Sequence, residues 1–118
     1  MSRSIKLSLV IASAFLAACP APGKGAKAER EYHRAAPVIA AIDHYHAATG
    51  EYPPSLETLM PQYLDSLSLR RPESIQESTF EYDRLSDGFE LSFRYVGPGM
   101  NRCTYRSSTK AWTCSGYF

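Results

Sequence analysis

Three cysteines have the widest chemical potential in this chain, because a thiolate can be acylated, oxidised to a disulfide or bound to a metal. They are Cys19, Cys103 and Cys114, spread over 118 residues. An odd number of cysteines means that at least one thiol has a fate other than an internal pair. The surroundings of each cysteine therefore have to be considered separately.

A second group of reactive side chains lies in one short stretch, with Asp43, His44 and His46. Zinc ligands on a helix need i and i+4 spacing, whereas the two histidines are two residues apart and point in different directions. Asp43 and His46, at i and i+3, can share a face. Two interpretations stay open: a small metal-binding or hydrolytic site that uses Asp43 and His46, or solvated side chains near a helix end.

The first part of the chain has the layout of an export signal. Arg3 and Lys6 precede an apolar run from Leu7 to Leu16, and the small residues Ala17 and Ala18 follow. A positively charged start, a short apolar stretch and small residues before a cut are typical of a secretory signal peptide. The run is too short to cross a membrane, since a spanning helix needs about 20 apolar residues. We predict a signal peptide over residues 1–18.

The end of this leader, Leu16-Ala17-Ala18-Cys19, resembles the lipobox of bacterial lipoproteins. The resemblance implies that the Cys19 thiol carries a diacylglycerol, that cleavage occurs just before it, and that the new amino terminus is acylated, for example with palmitate. It also implies a location in the bacterial cell envelope, lipid-anchored and facing the periplasm, with the outer membrane favoured over the inner. The alternatives are an ordinary signal peptide followed by a chance cysteine, or a core cysteine behind an uncleaved leader.

Removal of this leader changes the charge balance of the chain. The full chain has a formal net charge of +1, from 13 basic and 12 acidic residues. Cleavage after Ala18 leaves 100 residues and removes two basic residues, Arg3 and Lys6, so the mature net charge is −1. This length allows one domain, and this charge provides no field to hold nucleic acid, so we predict no nucleic-acid partner.

The two remaining cysteines lie symmetrically about a predicted turn. Tyr105 and Trp112 favour strands, and residues 107–110 are turn material. Cys103 and Cys114 then face each other across two antiparallel strands, and an exported protein meets an oxidising compartment. We predict a disulfide between them. A redox or metal pair is the alternative, but the spacing is not CxxC and no histidine is near.

Apolar residues three and four apart predict a helix from about Ala28 to Thr49. Gly50 supplies the left-handed residue that ends it. Pro37 lacks an N–H and clashes with the preceding turn, so we expect one helix kinked at Pro37; a helix that begins at Pro37 is the alternative. Residues 19–27 are predicted to be a flexible tether between the lipid and a single domain, 28–118. The apolar stripe comprises Tyr32, Ala35, Ile39, Ile42, Tyr45 or His46, and Thr49.

The second half of the chain is predicted to form a sheet. Ser55 is a plausible N-cap for a short helix, and a polar loop that contains Arg70 and Arg71 follows. Strands are then predicted over residues 79–83 and 89–96, followed by a loop over 97–101 and the cysteine hairpin. In the 89–96 strand the apolar residues alternate with Glu90, Ser92 and Arg94, which are expected to face water. The fold class is therefore α+β: an N-terminal helix, kinked at Pro37, packed on a four-stranded antiparallel meander.

The run from Ala36 to Leu59, with Gly50-Glu51-Tyr52-Pro53 followed by Ser55-Leu56-Glu57-Thr58-Leu59, resembles the helix-to-YP junction of type II secretion pseudopilins and type IV pilin-like proteins. The resemblance implies a pseudopilin-like globular head, in which a helix leads through a short helix to an antiparallel sheet. In place of the long apolar helix by which pilins polymerise, this chain has a lipoprotein leader and a tether. The loop over 97–101 lacks the carboxylates that hold calcium in pseudopilins.

These features predict a lipid-anchored, non-enzymatic interaction module of the bacterial cell envelope, associated with a secretion or pilus-like assembly. The expected partners are a membrane, through the lipid on Cys19, and another envelope protein. No catalytic residue, metal or cofactor is predicted. The alternative is a small metal-binding or hydrolytic periplasmic protein that uses Asp43 and His46.

Overall fold

The computed structural model describes residues 21–65, 80–97 and 99–117. Within these ranges one long α-helix and a short 3₁₀ helix precede four strands, so the predicted α+β class is confirmed. The predicted signal peptide 1–18, the lipid-attachment residue Cys19 and the polar loop with Arg70 and Arg71 lie outside the described residues.

The strands follow one another in the sheet in chain order. Helix α1 spans Ala26–Thr49 and the 3₁₀ helix spans Leu56–Leu59; the strands are β1 Glu81–Arg84, β2 Phe89–Val96, β3 Met100–Arg106 and β4 Ala111–Tyr117. Each strand is antiparallel to its neighbour, which confirms the predicted meander. Strand β2 has the predicted bounds. The predicted loop over 97–101 was too long, because Asn101 already pairs with Tyr95 and Gly116 inside the sheet.

The core lies between α1 and one face of the sheet. Alternation places four of the five apolar residues of β2 on this face, where they are buried: Phe89, Leu91, Phe93 and Tyr95. Small and branched residues of α1 cover them, which lets the helix approach the sheet closely: Ala28, Ala35, Val38, Ala41 and Ile42.

The outer face of the sheet is polar, but it is not uniformly wet. Arg94 is exposed and Glu90 is half-buried. Ser92 was wrongly predicted to face water: only 2% of it is exposed, and its hydroxyl lies 3.1 Å from that of Thr104 on β3. Ser92 is paired with Glu81 on β1 and with Thr104 on β3. The larger side chains of these two neighbours cover the small side chain of Ser92 from both sides.

Helix α1 runs without interruption through Pro37. Proline has no N–H to donate to the carbonyl four residues earlier, which belongs to His33. Both His33 and Pro37 lie on the exposed side of the helix, so water can reach that carbonyl. The kink at Pro37 stays a prediction. Thr49, predicted to lie on the apolar stripe, is exposed and donates its hydroxyl to the Tyr45 carbonyl.

One charged residue of α1 lies in the interior, which the apolar spacing did not predict. Glu31 is only 3% exposed, and its carboxylate is 2.7 Å from the Arg34 guanidinium one turn later. The same guanidinium lies over the Phe80 ring, 5.2 Å from its centroid. Pairing and the aromatic contact together compensate the burial of this carboxylate.

Ser55 precedes the 3₁₀ helix, as predicted, but it does not cap it with its side chain. Its hydroxyl lies 3.1 Å from the Thr58 hydroxyl instead. The prediction of a side-chain N-cap was therefore wrong, although the position of the helix start was right.

Helix α1 and the sheet run along the same length of the domain, and we name its two ends after Gly97 and Gly88 in the turns there. The Gly97 end carries the β2–β3 turn and the start of α1, where the Lys27 ammonium donates to the Val96 carbonyl at 2.7 Å. The Gly88 end carries the β1–β2 and β3–β4 turns and the end of α1. At 1.5 Å per residue, the 24 residues of α1 separate these ends by about 36 Å.

Candidate functional site

Cys103 and Cys114 form a cross-strand pair near the Gly97 end of the core. They are directly opposite in the β3–β4 register, and their Sγ atoms lie 2.10 Å apart, at disulfide-bond distance. Cys103 is fully buried on the helix-facing side of the sheet. Trp112, two residues before Cys114, packs on Phe93 and Tyr105 with ring centroids 5.2 Å and 5.5 Å away. Trp112 is therefore half-buried and packs against the core.

Tyr32 links the cysteine pair to the chain that precedes α1. Its hydroxyl donates to the Gly23 carbonyl at 2.9 Å and lies 3.2 Å from Cys114 Sγ. Burial, followed by the nearby Tyr95 and Glu29, raises the pKa of Tyr32 above its ordinary value. The phenol therefore keeps its proton, and with it this hydrogen bond, throughout the physiological pH range.

Gly23 is packed into this cluster, although the sequence suggested a flexible tether there. Its N–H donates to the Tyr95 hydroxyl at 2.7 Å in a buried hydrogen bond. Its φ of +83° favours glycine, and a Cβ built there would lie 2.5 Å from Cys114 Sγ. No local pattern predicts this packing, because both of its hydrogen-bond partners lie elsewhere in the chain.

The two residues of the possible metal or acid–base site, Asp43 and His46, make separate contacts. The His46 ring stacks on Tyr52, with centroids 3.9 Å apart and an angle of 5° between the planes. Asp43 is exposed, and its charge adds to burial, the larger cause, in raising the pKa of Tyr105. His44 is also exposed. In the described ranges no group of three or more His, Cys, Asp or Glu side chains is placed to hold a metal ion.

His46 instead lines an open cleft of about 550 Å³ at the Gly88 end, which we term the His46 cleft. The end of α1 forms one wall and the β1–β2 turn forms the other. Its lining combines an imidazole and a phenol with one guanidinium, two carboxylates and an exposed leucine: His46, Gly50, Glu51, Tyr52, Arg84, Leu85, Ser86 and Asp87.

Two hydrogen bonds join β1 to the segment that follows α1, next to this cleft. The Tyr82 hydroxyl donates to the Pro53 carbonyl at 2.7 Å, and the Arg84 guanidinium reaches the Tyr52 carbonyl at 3.4 Å. The pKa of Tyr82 is raised to about 12, chiefly by burial. The nearby Arg84 lowers this pKa by a smaller amount, and Tyr52 raises it slightly further. Tyr82 therefore remains a donor at physiological pH. The predicted strands over residues 79–83 and 89–96 imply a connection between them, but not that it would face the end of α1.

Ion pairs cross the strands on the outer face of the sheet. Glu81 on β1 pairs with Arg102 on β3 at 3.0 Å and with Arg94 on β2 at 3.5 Å. Arg106 on β3 bonds to Glu90 on β2, with Nε 3.0 Å from Oε1. Such exposed pairs contribute little to stability, but they distribute charge of both signs over this face.

Among the helices of the described ranges, none is long and apolar enough to cross a bilayer. Comparison of the chain with protein-family models, with curated proteins and with solved structures found no match.

Proposed function

We propose that this chain is a lipid-anchored protein of the bacterial cell envelope whose head binds another envelope protein without catalysing a reaction. The observation that carries the proposal is Leu16-Ala17-Ala18-Cys19, directly after a charged and then apolar leader. The thiol of Cys19 would carry the lipid, and the head would face the periplasm, at the outer membrane in preference to the inner.

The cross-strand cysteine pair supports export. Disulfides form and persist in oxidising compartments and are rare in the bacterial cytosol. Cys103 is fully buried and Cys114 is half-buried, and they lie at disulfide distance, where the bond would cross-link the last two strands. A bond that closes a loop of this length contributes about 3 kcal/mol in the chain-entropy model.

The order of elements supports a pseudopilin-like head. Helix α1 ends at Gly50, Tyr52 and Pro53 turn the chain, a 3₁₀ helix follows, and an antiparallel meander completes the domain. In this proposal the head is mounted on lipid in place of a filament, and it is associated with a secretion or pilus-like assembly.

The His46 cleft is the surface that we assign to the protein partner. Arg84 and Asp87 offer opposite charges for salt bridges, and the flat His46–Tyr52 stack and the exposed Leu85 offer apolar area. Aromatic and arginine side chains beside an apolar anchor are typical of residues that dominate binding energy at protein interfaces. The cleft lies at the end of the domain opposite to the start of α1.

Lipid attachment is tested by Cys19→Ser in the full chain, expressed in a bacterium that processes lipoproteins. We expect the wild-type protein to incorporate labelled palmitate and to sediment with membranes, because acyl chains on Cys19 hold it there. The variant should lose the label, the membrane association and the lipid-shifted mature mass. Ala21→Ser, at an exposed position two residues later, is the matched control, since it leaves the Cys19 thiol in place and should retain the label. An unchanged mature mass and membrane fraction in Cys19→Ser would refute lipid attachment.

Partner binding is tested with a photo-crosslinking amino acid at Leu85, in the cleft, or at Thr113, exposed on the outer face of the sheet. We expect one defined adduct from position 85 in native envelopes, and we expect Arg84→Glu to abolish it. Equal adducts from both positions, or an adduct insensitive to Arg84→Glu, would overturn the assignment.

The metal-binding alternative is tested by measuring the metal content of the double variant Asp43→Ala/His46→Ala. Loss of bound metal with the adduct retained would favour the metal-binding alternative.

A further inference from the structure

We propose that the Gly97 end of the domain lies against the membrane surface, with Lys24, Lys27, Val96 and Met100 in contact with anionic phospholipid headgroups. This inference rests on the proposed attachment of lipid to Cys19, and it adds the orientation of the head. It follows from where the chain enters the domain and from what surrounds that point.

Gly23 gives the chain a defined point of entry. The carbonyl and the N–H of this residue are bonded to Tyr32 and Tyr95, and the residue is buried against the cysteine pair. One residue later the Lys24 N–H bonds to the Ala21 carbonyl, which closes a turn before α1 begins at Ala26. Residues 21–25 are thus part of the folded domain.

The covalent path from lipid to domain is therefore short. Cys19 precedes Gly23 by four residues, and an extended chain covers at most about 3.6 Å per residue, so the two Cα atoms lie within about 14 Å of each other. The polar region of one leaflet is about 5 to 8 Å thick. A lipid on Cys19 therefore holds the Gly97 end at the headgroups.

The residues around the entry point suit that location. Residues 24–30 contain Lys24, Lys27 and Arg30 with Glu29 as the single acid, a net charge of +2. The Lys27 ammonium is positioned at this end by its bond to the Val96 carbonyl. Lysine and arginine side chains near an anionic membrane are attracted to its surface.

An exposed apolar pair completes the surface. Val96 and Met100 are opposite each other across β2 and β3, and their exposed fractions are 54% and 57%. Their side chains flank the β2–β3 turn on the outer face of the sheet, and at the same end the Lys27 ammonium reaches the Val96 carbonyl from the start of α1. Because the lipid keeps this end at the bilayer, weak contacts suffice to orient the domain.

The test uses the lipidated full chain, purified from membranes, its lipid verified by intact mass, and reconstituted into vesicles of phosphatidylcholine and phosphatidylglycerol. An environment-sensitive dye is attached to Met100→Cys or, as the matched control, to Ser108→Cys in the β3–β4 turn at the Gly88 end. Brominated lipids then quench dyes that lie at the membrane. We expect several-fold stronger quenching at position 100 than at position 108.

Gly23→Ala and Tyr95→Phe test whether the packing of residues 21–25 on the domain sets its orientation, and Gly50→Ala is the matched control. Gly23→Ala should release these residues and reduce the quenching at position 100, whereas Gly50→Ala, at φ +79° with no atom within 4 Å of the added Cβ, should leave the quenching unchanged. Tyr95→Phe, which removes only the acceptor of the Gly23 N–H, serves if Gly23→Ala fails to fold. Equal quenching at positions 100 and 108 on lipidated protein, or quenching unaffected by Gly23→Ala, would overturn this proposal alone. Absence of lipid from Cys19 would overturn the proposed function as well.

Discussion

Gly23 and Gly50 have nearly the same positive φ, +83° and +79°, for different physical reasons. Gly50 adopts φ +79° because it ends α1, and its N–H bonds to the His46 carbonyl at 2.8 Å. Space around it is open, so a side chain there meets only backbone strain. At Gly23 a side chain would also clash, since Cys114 Sγ and the Tyr32 hydroxyl lie 2.5 Å and 2.8 Å from the position of a Cβ. The requirement at position 50 is local, whereas that at position 23 is tertiary.

The Tyr82 phenol couples stability to pH. Its pKa is raised to about 12 in the folded protein, chiefly by burial, against an ordinary value of 10.0. Folding therefore favours the protonated phenol, and this contribution is fully present below pH 10. Above pH 10 the unfolded chain loses the proton first, so the contribution disappears progressively as the pH rises to about 12.

We expect Tyr82→Phe to reduce the loss of stability between pH 10 and about 12, because the variant has no phenol to titrate there. At pH 7 the variant should be less stable by about 1 kcal/mol, since the Pro53 carbonyl loses its donor. Urea unfolding of both proteins at a series of pH values measures the difference. A difference that stays constant from pH 8 to 12 would contradict the role assigned to this phenol.

At the scale of elements, α1 contains its least favourable residue on its solvent side. Pro37 removes one helical hydrogen bond, and its ring crowds the preceding turn. It also restricts the unfolded chain, which offsets part of that cost. The difference between these two effects decides whether Pro37 lowers or raises the stability of the folded protein.

We expect Pro37→Ala to stabilise the protein by about 1 to 2 kcal/mol. This value is the free-energy cost of proline inside a helix, minus the stabilisation that proline provides by restricting the unfolded chain. Thermal or urea unfolding measures this change. Ala36→Ser, at the neighbouring exposed position, is the control and should alter stability by no more than about 0.5 kcal/mol. A loss of stability in Pro37→Ala would show that packing requires the geometry of proline, as the predicted kink implies.

At the scale of the whole molecule, the length of α1 separates two surfaces of different chemistry. Lysines and the exposed Val96 and Met100 lie at the Gly97 end, where the chain enters the domain, and the His46 cleft opens at the Gly88 end. In the proposed arrangement the first end meets lipid and the second meets protein. The domain would thus present its cleft about 36 Å from the bilayer, the length of a helix of 24 residues.

Local patterns in the sequence determined much of this architecture. The alternation from Phe89 to Val96 defined β2, Gly50 marked the end of α1, and the spacing of Cys103 and Cys114 about a turn placed them opposite each other. These predictions succeeded because strand alternation, helix termination and hairpin symmetry depend on residues close in the chain. The export leader and Cys19 are likewise a local pattern, and they remain a prediction from the sequence.

Only the tertiary structure decided which distant segments meet. It buried Ser92 beneath its neighbours and Glu31 beside Arg34, packed Gly23 against the cysteine pair, and brought the β1–β2 turn to the end of α1. Each of these outcomes depends on contacts between segments or on which face of an element is covered. A window of neighbouring residues contains neither kind of information, because burial and long-range hydrogen bonds are created by packing.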